Sequence, residues 1–587
     1  MGDFVKKNIS SIRPTKIPLT WKLILLVVVL LWIPLIFIGF DSHHDGLILT
    51  TVNMLHDSIR NQGQWPFNQY GPFWAMPYVL FTYALPEPLV WIALRVITVG
   101  FYLLTGFLIY QCAKLISSTR IAFFSALIYF LSQPFVSDYG SDLVPWPSAV
   151  IMPMVMLVVL LFLRMSVATE TSRRVKYYSY LIGLIVSEIL FSRAQIGILL
   201  FISFIFLFFL QQNRVTAKFF LLGFVSFTLI FFAFLKYFGW LSDAINDEFI
   251  FGSLYLRGDT STYPNPIFTF VGTASFFIIL YFGKRVLFFI IERNLLKQLI
   301  VVVSGLLSLI VTASYLILNS RDIDSMAMVS TFSRRVWISY YLAVIVYSVF
   351  EQSKKVLATY KSSISRTSIF SNRNALVLFS VVGELQIYPL FDQMHFWWGS
   401  VPAVILIVIV TKENFIDPIS FLNVSNKLAN VFLVLTTLLC LIQISGQLAK
   451  PYSRYPQEIV KYLWASPSVS EKQEQLQKFF NTNIPKGASV LNLCANSDVF
   501  FSDADVRSSS RIFVLWPNIT EVANMKHSMI SSTPDIVLTC SLSRIASLQK
   551  NAELEQQEIL FKSIKNPEVF ATLNFSHKTT WQLWRTQ

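Results

Sequence analysis

The chain has 587 residues, of which 54% are hydrophobic and 15% aromatic, including 53 Phe, while only 14% are charged. A soluble globular chain carries about 25% charged residues, so this composition excludes one and defines a polytopic α-helical membrane protein. The net charge of +14 then reports topology and not nucleic-acid binding, because surplus Lys and Arg collect in cytoplasmic loops.

In chain order, residues 1–20 form a basic N-terminal segment and 21–40 an apolar run. Roughly 20 residues at 1.5 Å rise cross the hydrocarbon as a helix, and no small-residue cleavage site follows, so the run is expected to stay as the first span. Apolar windows predict further spans at 89–113, 121–137, 148–166, 177–192, 196–211, 217–237, 267–283, 299–318, 336–350, 375–391, 398–411 and 428–449, about thirteen in all. With a cytoplasmic N-terminus, the inner segments hold 24 Lys and Arg; the outer loops hold seven, namely Arg60, Arg193, Lys236, Arg257, Arg321, Arg334 and Arg335. That excess is the one expected inside, and it puts the tail outside.

The membrane part therefore runs over 21–450, and from 451 to 587 the composition becomes that of an extracytoplasmic α/β domain. "SEKQEQLQKFF" reads as a helix, and "ASVLNLC", "RIFVLW", "DIVLTC", "EVFATLN" and "TWQLW" read as strands. No GxGxxG follows a strand, which sets dinucleotide binding aside, and no CxxC spacing offers structural zinc. Cys494 and Cys540 both fall in this tail, where an oxidising compartment lets them pair. There is no internal repeat.

The first outer loop, 41–88, is the longest connection between spans and reads as structured. "LILTTVNMLHDSIRNQG" has apolar residues at Leu47, Leu49, Val52, Met54, Leu55 and Ile59 and a stop at Gly63, the pattern of an interfacial amphipathic helix. The aromatic "WPFNQYGPFWAMPYVLF" follows it. The loop opens on "FDSHHDG", so Asp41 and Asp45 stand where the chain leaves the lipid. A carboxylate beside an apolar wall can take a proton from a hydroxyl or hold a divalent metal ion; the plain alternative is a solvated helix cap. His43, His44 and His56 share this neighbourhood, but their spacing is not that of a zinc site.

An acid directly after the first span, an amphipathic helix ending near a glycine, and an aromatic "QYGP" before the second span make this loop similar to that of the GT-C superfamily of integral membrane glycosyltransferases. It resembles more closely the bacterial members with "HHDG" in the loop, here residues 43–46, and "QYGP" further on, here 69–72. Over the many-helix body and the tail the resemblance is one of layout. It implies a GT-C-like fold and inverting transfer of a sugar from a polyprenyl-phosphate-linked donor to a cell-envelope glycan, lipid or protein acceptor. A loop acid deprotonates the acceptor. Asp45, which leads directly into the loop helix, is the expected base, with Asp41 second or a metal ligand. His43, His44, Gln69 and Tyr70 are the implied substrate contacts. Lipid A aminoarabinose transferases and protein O-mannosyltransferases carry adjacent acids in this loop, whereas three residues separate the two here.

Such a donor brings a phosphate to the outer surface, where it needs fixed cations. Arg193, in "LFSRAQIG" between two tight spans, is the first candidate, and Arg334 and Arg335 are the second; snorkelling to lipid headgroups is the alternative for each. Asp392 and His395 are three residues apart and share a helical face beside Phe396, Trp397 and Trp398, a candidate sugar or phosphate contact or else an interfacial aromatic belt. Asp138, Asp142 and Trp146 lie in another short outer loop. Glu188 and Glu384 fall inside predicted spans, where pairing with Arg193 or Arg335 would neutralise them.

A transporter or flippase of lipid-linked sugars would show polar residues through the bundle and related halves with broken helices, neither of which stands out. An O-antigen polymerase or ligase would carry its main loop late among the spans, and here it is early. The expected location is a bacterial plasma membrane, although sequons at Asn518 and Asn574 keep the endoplasmic reticulum open.

Overall fold

The computed structural model describes residues 19–30, 32–39, 44–66, 70–71, 73–132, 143, 145–167, 173–210, 214–251, 270–282, 338–355, 372–384, 393–416, 452–454, 456, 460–494, 497–511, 534–541, 564, 567–574 and 580–586. Eleven predicted spans fall on described helices, while 299–318 and 428–449 lie outside the described residues. Glu87–Ile116, Pro147–Ser166 and Arg214–Tyr237 are long and apolar enough to cross a bilayer; Leu25–Leu35, Thr119–Leu131, Ala194–Phe208 and Phe270–Phe282 are shorter apolar helices. The body is thus that of a mainly helical membrane protein.

Two details of the helix layout matter for the site. Helix Arg173–Leu190 returns as Ala194–Leu210 through a turn of only three residues, Phe191 to Arg193. The return is this tight because a Cβ on Gly197 would lie 2.2 Å from Leu190 Cα, a clash glycine avoids. A run of rings then locks neighbouring helices together: Trp32 meets Tyr102 and Phe130 edge-on at 6.0 and 5.5 Å, and Trp397 stacks on Tyr129 at 5.2 Å.

The loop helix His44–Asn61 starts three residues before its predicted apolar periodicity at Leu47. Its first two turns, Asp45 through Val52, are buried on every side, which differs from the half-exposed interfacial helix expected. The reason is a cover from the C-terminal region: a Cβ on Gly46 would meet the Phe501 ring at 3.0 Å and Ser497 Cβ at 3.2 Å. Lower on the helix, His56 Nε2 lies 3.1 Å from Thr82 Oγ1 and 3.3 Å from the Val79 carbonyl, tying it to helix Met76–Thr82. Burial lowers the His56 pKa, against the raising effect of the Val79 carbonyl and Asp57.

The C-terminal region contains two sheets. Strands β1 (Ser453–Arg454) and β2 (Trp464–Ala465) form an antiparallel pair. Helix Pro467–Asn483 follows, and then β3 (Ser489–Asn492), β4 (Arg507–Ser508), β5 (Ile536–Ser541), β6 (Glu568–Asn574) and β7 (Thr580–Arg585) build a mixed sheet in the order β4-β3-β5-β7-β6. Four of the five predicted strands are present; "RIFVLW" lies, after Arg511, outside the described residues. The region is anchored to the membrane part by Trp464. It donates its N–H to the Phe37 carbonyl at 2.8 Å and accepts from Gly39 N–H at 2.7 Å, continuing a ladder onto the chain that leaves the first helix.

β3 and β5 run parallel with Asn492 opposite Leu538, so two residues on, Cys494 stands opposite Cys540. The two are disulfide-bonded with Cα atoms 5.6 Å apart, closing a loop across a sequence separation of 46. Loops of this length contribute about 2–4 kcal/mol when closed. Reductant, or Cys494→Ser, is therefore expected to make this region markedly more protease-sensitive while the helical body keeps its resistance; equal digestion with and without reductant would show that the bond is no staple.

Candidate active site

The first cluster stands where the chain leaves the first helix. Arg95, on helix Glu87–Ile116, is wholly buried and spends its guanidinium on four acceptors. Nη1 donates to the carbonyls of Ile36 and Ile38, each at 2.9 Å, and Nη2 donates to the Gly39 carbonyl at 2.6 Å and to Asp45 Oδ2 at 3.2 Å. Trp91, one turn earlier, lies under the cation with 5.0 Å from ring centroid to Cζ. Asp45 is 1% exposed and sits in the first turn of its helix, where the backbone N–H groups also favour a negative charge. The arrangement clamps the end of the first helix to the start of the loop helix. Its physical demand is strict, since two buried charges must each be met by an opposite charge or by fixed polar groups.

The second cluster gathers residues from four segments. Tyr70, from "QYGP", packs edge-on to Trp146 at 5.1 Å, and Trp146 lies parallel to Trp398 at 6.3 Å. Arg193 is 4% exposed, its Cζ stands 5.9 Å from the Tyr70 ring centroid, and its Nη1 donates a short hydrogen bond to Ser148 Oγ. The turn Phe191 to Arg193 is joined to the loop directly: Phe73 N–H donates to the Phe191 carbonyl at 2.8 Å. Gly71 adopts φ +98°, and a Cβ there would lie 2.5 Å from that carbonyl and 2.8 Å from Glu248 Oε1. Both the backbone angle and the close approach require glycine.

Glu248 enters from the π-helical turn Asn246–Phe251, a type of turn frequent at functional sites. Burial pushes its carboxyl well above the usual carboxylate range. The residue before it, Asp247, is fully buried and takes both ends of the Arg511 guanidinium, at 2.6 and 2.7 Å, with Asp243 at 3.9 Å. Burial opposes the charge on Arg511, but the hydrogen bonds and charge of Asp247, with Asp243 behind, outweigh it and raise its pKa. Thus a side chain of the C-terminal region fixes the turn that carries Glu248.

Of the residues singled out in the sequence, Tyr70, Arg193, Trp146 and Trp398 come together, and Asp45 is held in the neighbouring clamp. Trp397 instead packs between Tyr129 and Tyr102, buried among the helices. Glu384 is buried at the end of helix Asn372–Glu384, and among the described residues neither of its oxygens has a hydrogen-bond partner. Asp41, His43, Gln69, Asp138, Asp142, Arg334, Arg335 and Asp392 lie outside the described residues, and so do the side chains of His44 and His395. Among the described residues no three His, Cys, Asp or Glu side chains gather as metal ligands.

Arg95, Ser148, Glu248 and the Asp247–Arg511 pair were not marked by sequence reasoning. Arg95 had a readable signal, a lone arginine inside a predicted span, where a charge demands a partner. "SDAINDEF" offered none, because a run of polar residues after a span looks like any solvated loop.

No protein-family model matches the chain, and no curated protein sequence matches it. Among solved structures it is similar to the archaeal oligosaccharyltransferase AglB from Archaeoglobus fulgidus in complex with an inhibitory peptide and a dolichol-phosphate. The identity is 11% and the TM-score 0.48, over 96% of this chain and 74% of that one. It is also similar to ArnT from Cupriavidus metallidurans bound to undecaprenyl phosphate, at 11% identity and a TM-score of 0.39, over 96% of this chain and 97% of that one. The A. fulgidus oligosaccharyltransferase complex with Zn and sulfate gives 11% and 0.46, over 88% and 67%.

Proposed function

We propose that the chain is an extracytoplasmic glycosyltransferase that moves a sugar, with inversion, from a polyprenyl-phosphate-linked donor to a cell-envelope glycan, lipid or protein acceptor. The observation that carries the reading is the meeting of a nearly buried cation, Arg193, with the "QYGP" tyrosine and the Trp146–Trp398 pair at one end of the helices. A phosphate leaving group needs such a fixed cation, and aromatic walls suit sugar faces.

In the proposed step the acceptor oxygen attacks the anomeric carbon on the face opposite the phosphate. Its proton passes to a loop aspartate, the carbon–oxygen bond to phosphate breaks, and polyprenyl phosphate leaves with its charge against Arg193. Asp45 already compensates the buried Arg95. That pairing favours a positioning role for Asp45 and leaves the base role to Asp41, four residues earlier in the chain. A divalent ion on Asp41 is the other use of that acid, and no step here depends on one.

The test is purified protein in lipid vesicles with undecaprenyl-phosphate-linked hexose as donor and a detergent extract of envelope glycolipids as acceptor pool. Release of undecaprenyl phosphate together with a hexosylated product of inverted anomeric configuration is expected. Movement of the intact lipid-linked sugar across the bilayer, with no bond cleaved, would replace the enzyme reading by a flippase.

A further inference from the structure

We propose that Glu248 is a sugar-binding residue that selects an uncharged, hydroxyl-bearing sugar on the donor and rejects a uronic acid; this rests on the glycosyl-transfer reading above. Glu248 is 5% exposed, and its Oε1 is enclosed with no hydrogen-bond partner among the described residues. Among the described residues no opposite charge acts on it either. An enclosed carboxyl of this kind costs stability, on the order of 1–3 kcal/mol for an unmet polar group. A fold keeps such a group most simply where a ligand completes it.

Its surroundings say which ligand. Oε1 and the Phe191 carbonyl both face the side of Gly71 where a Cβ would stand, at 2.8 and 2.5 Å from it, one residue from Tyr70 and two residues from Arg193. Carboxyl, guanidinium and the Tyr70–Trp146 wall therefore border one corner of the outer end. Arg193 suits a phosphate, the rings suit a sugar face, and a carboxyl suits hydroxyls, which can both give and accept hydrogen bonds. A uronate carboxylate brought into the same enclosed corner would have to shed its water beside an acid that burial already keeps from ionising, so its own charge carries the penalty. The turn is also held rigidly, since the adjacent Asp247 is locked by Arg511 from the C-terminal region.

The experiment measures binding of three probes to the full-length protein in nanodiscs: undecaprenyl phosphate, undecaprenyl-phosphate hexose and undecaprenyl-phosphate hexuronate. Wild type is expected to prefer the hexose lipid to the bare phosphate and to disfavour the hexuronate. Glu248→Leu removes the enclosed carboxyl and is expected to melt no lower than wild type, yet to lose about tenfold or more of the hexose preference, with bare phosphate binding unchanged. Glu248→Gln keeps part of that preference and relaxes the discrimination against the hexuronate. If Glu248→Leu retains the full hexose preference, Glu248 is a packed acid and this inference alone is overturned. If wild type binds none of the three lipids, the glycosyl-transfer reading falls as well.

Discussion

Asp41→Asn is expected to lower turnover by about 10²- to 10⁴-fold while donor binding stays within a few-fold of wild type, because proton abstraction by a positioned acid contributes that order. Asp45→Asn should behave differently. It takes from the wholly buried Arg95 the charge of Asp45 and leaves the three carbonyls of Ile36, Ile38 and Gly39 on its guanidinium. Breaking a buried pair in this way costs about 3–5 kcal/mol. The variant should therefore show a lower melting temperature and poor recovery, with turnover per folded molecule much closer to wild type. The comparison is decisive because both substitutions are nearly isosteric and act four residues apart. An Asp45→Asn protein of normal stability that loses turnover a hundredfold, beside an active Asp41→Asn, would return the base role to Asp45. Activity retained in both would move the chemistry out of this loop.

The difference between these two aspartates illustrates what a sequence can and cannot carry. Helices were legible because in lipid the length of an apolar run is nearly the whole signal, and strands such as "EVFATLN" and "TWQLW" were legible because alternation marks one buried face. A Cys494–Cys540 bond could be raised from the sequence once their region was assigned to the outside, but it is the parallel register of β3 and β5 that pairs them. Partnerships that close over long separations were not: Arg95 to Asp45 spans 50 residues and Arg511 to Asp247 spans 264. Local pattern contains no term for such pairs, since they depend on which helices pack side by side. Adjacent residues can also part company. Trp397 and Trp398 look alike in the chain, yet one is locked between Tyr102 and Tyr129 and the other faces Trp146, because neighbouring positions on a short helix point about 100° apart. The buried start of the loop helix was misread as interfacial for the same reason: its cover, Phe501 and Ser497, comes from more than 450 residues later in the chain.

Arg511 turns that cover from a lid of convenience into part of the site, and its removal is the second large effect expected. Arg511→Leu takes the two-armed guanidinium from Asp247, a fully buried carboxylate, and Asp247→Leu leaves Arg511 the more distant Asp243 at 3.9 Å; each should cost about 3–5 kcal/mol in the attachment of the C-terminal region. The readout is protease access to the segment between the last membrane helix and β3, followed together with the apparent melting temperature. The double variant should recover most of the loss, since two apolar side chains can fill the volume of a buried pair without the desolvation of either charge. Such non-additivity is the signature of direct contact. Additive losses would mean that each residue acts through something else. Because Asp247 and Glu248 are consecutive in one π-helical turn, the single variants should also blur the preference for an uncharged sugar without touching the bare lipid phosphate. The double variant, which refills the interface, should restore protease resistance first and sugar preference only as far as the turn regains its geometry. Separating those two recoveries distinguishes a residue that merely glues the C-terminal region in place from one that aims Glu248.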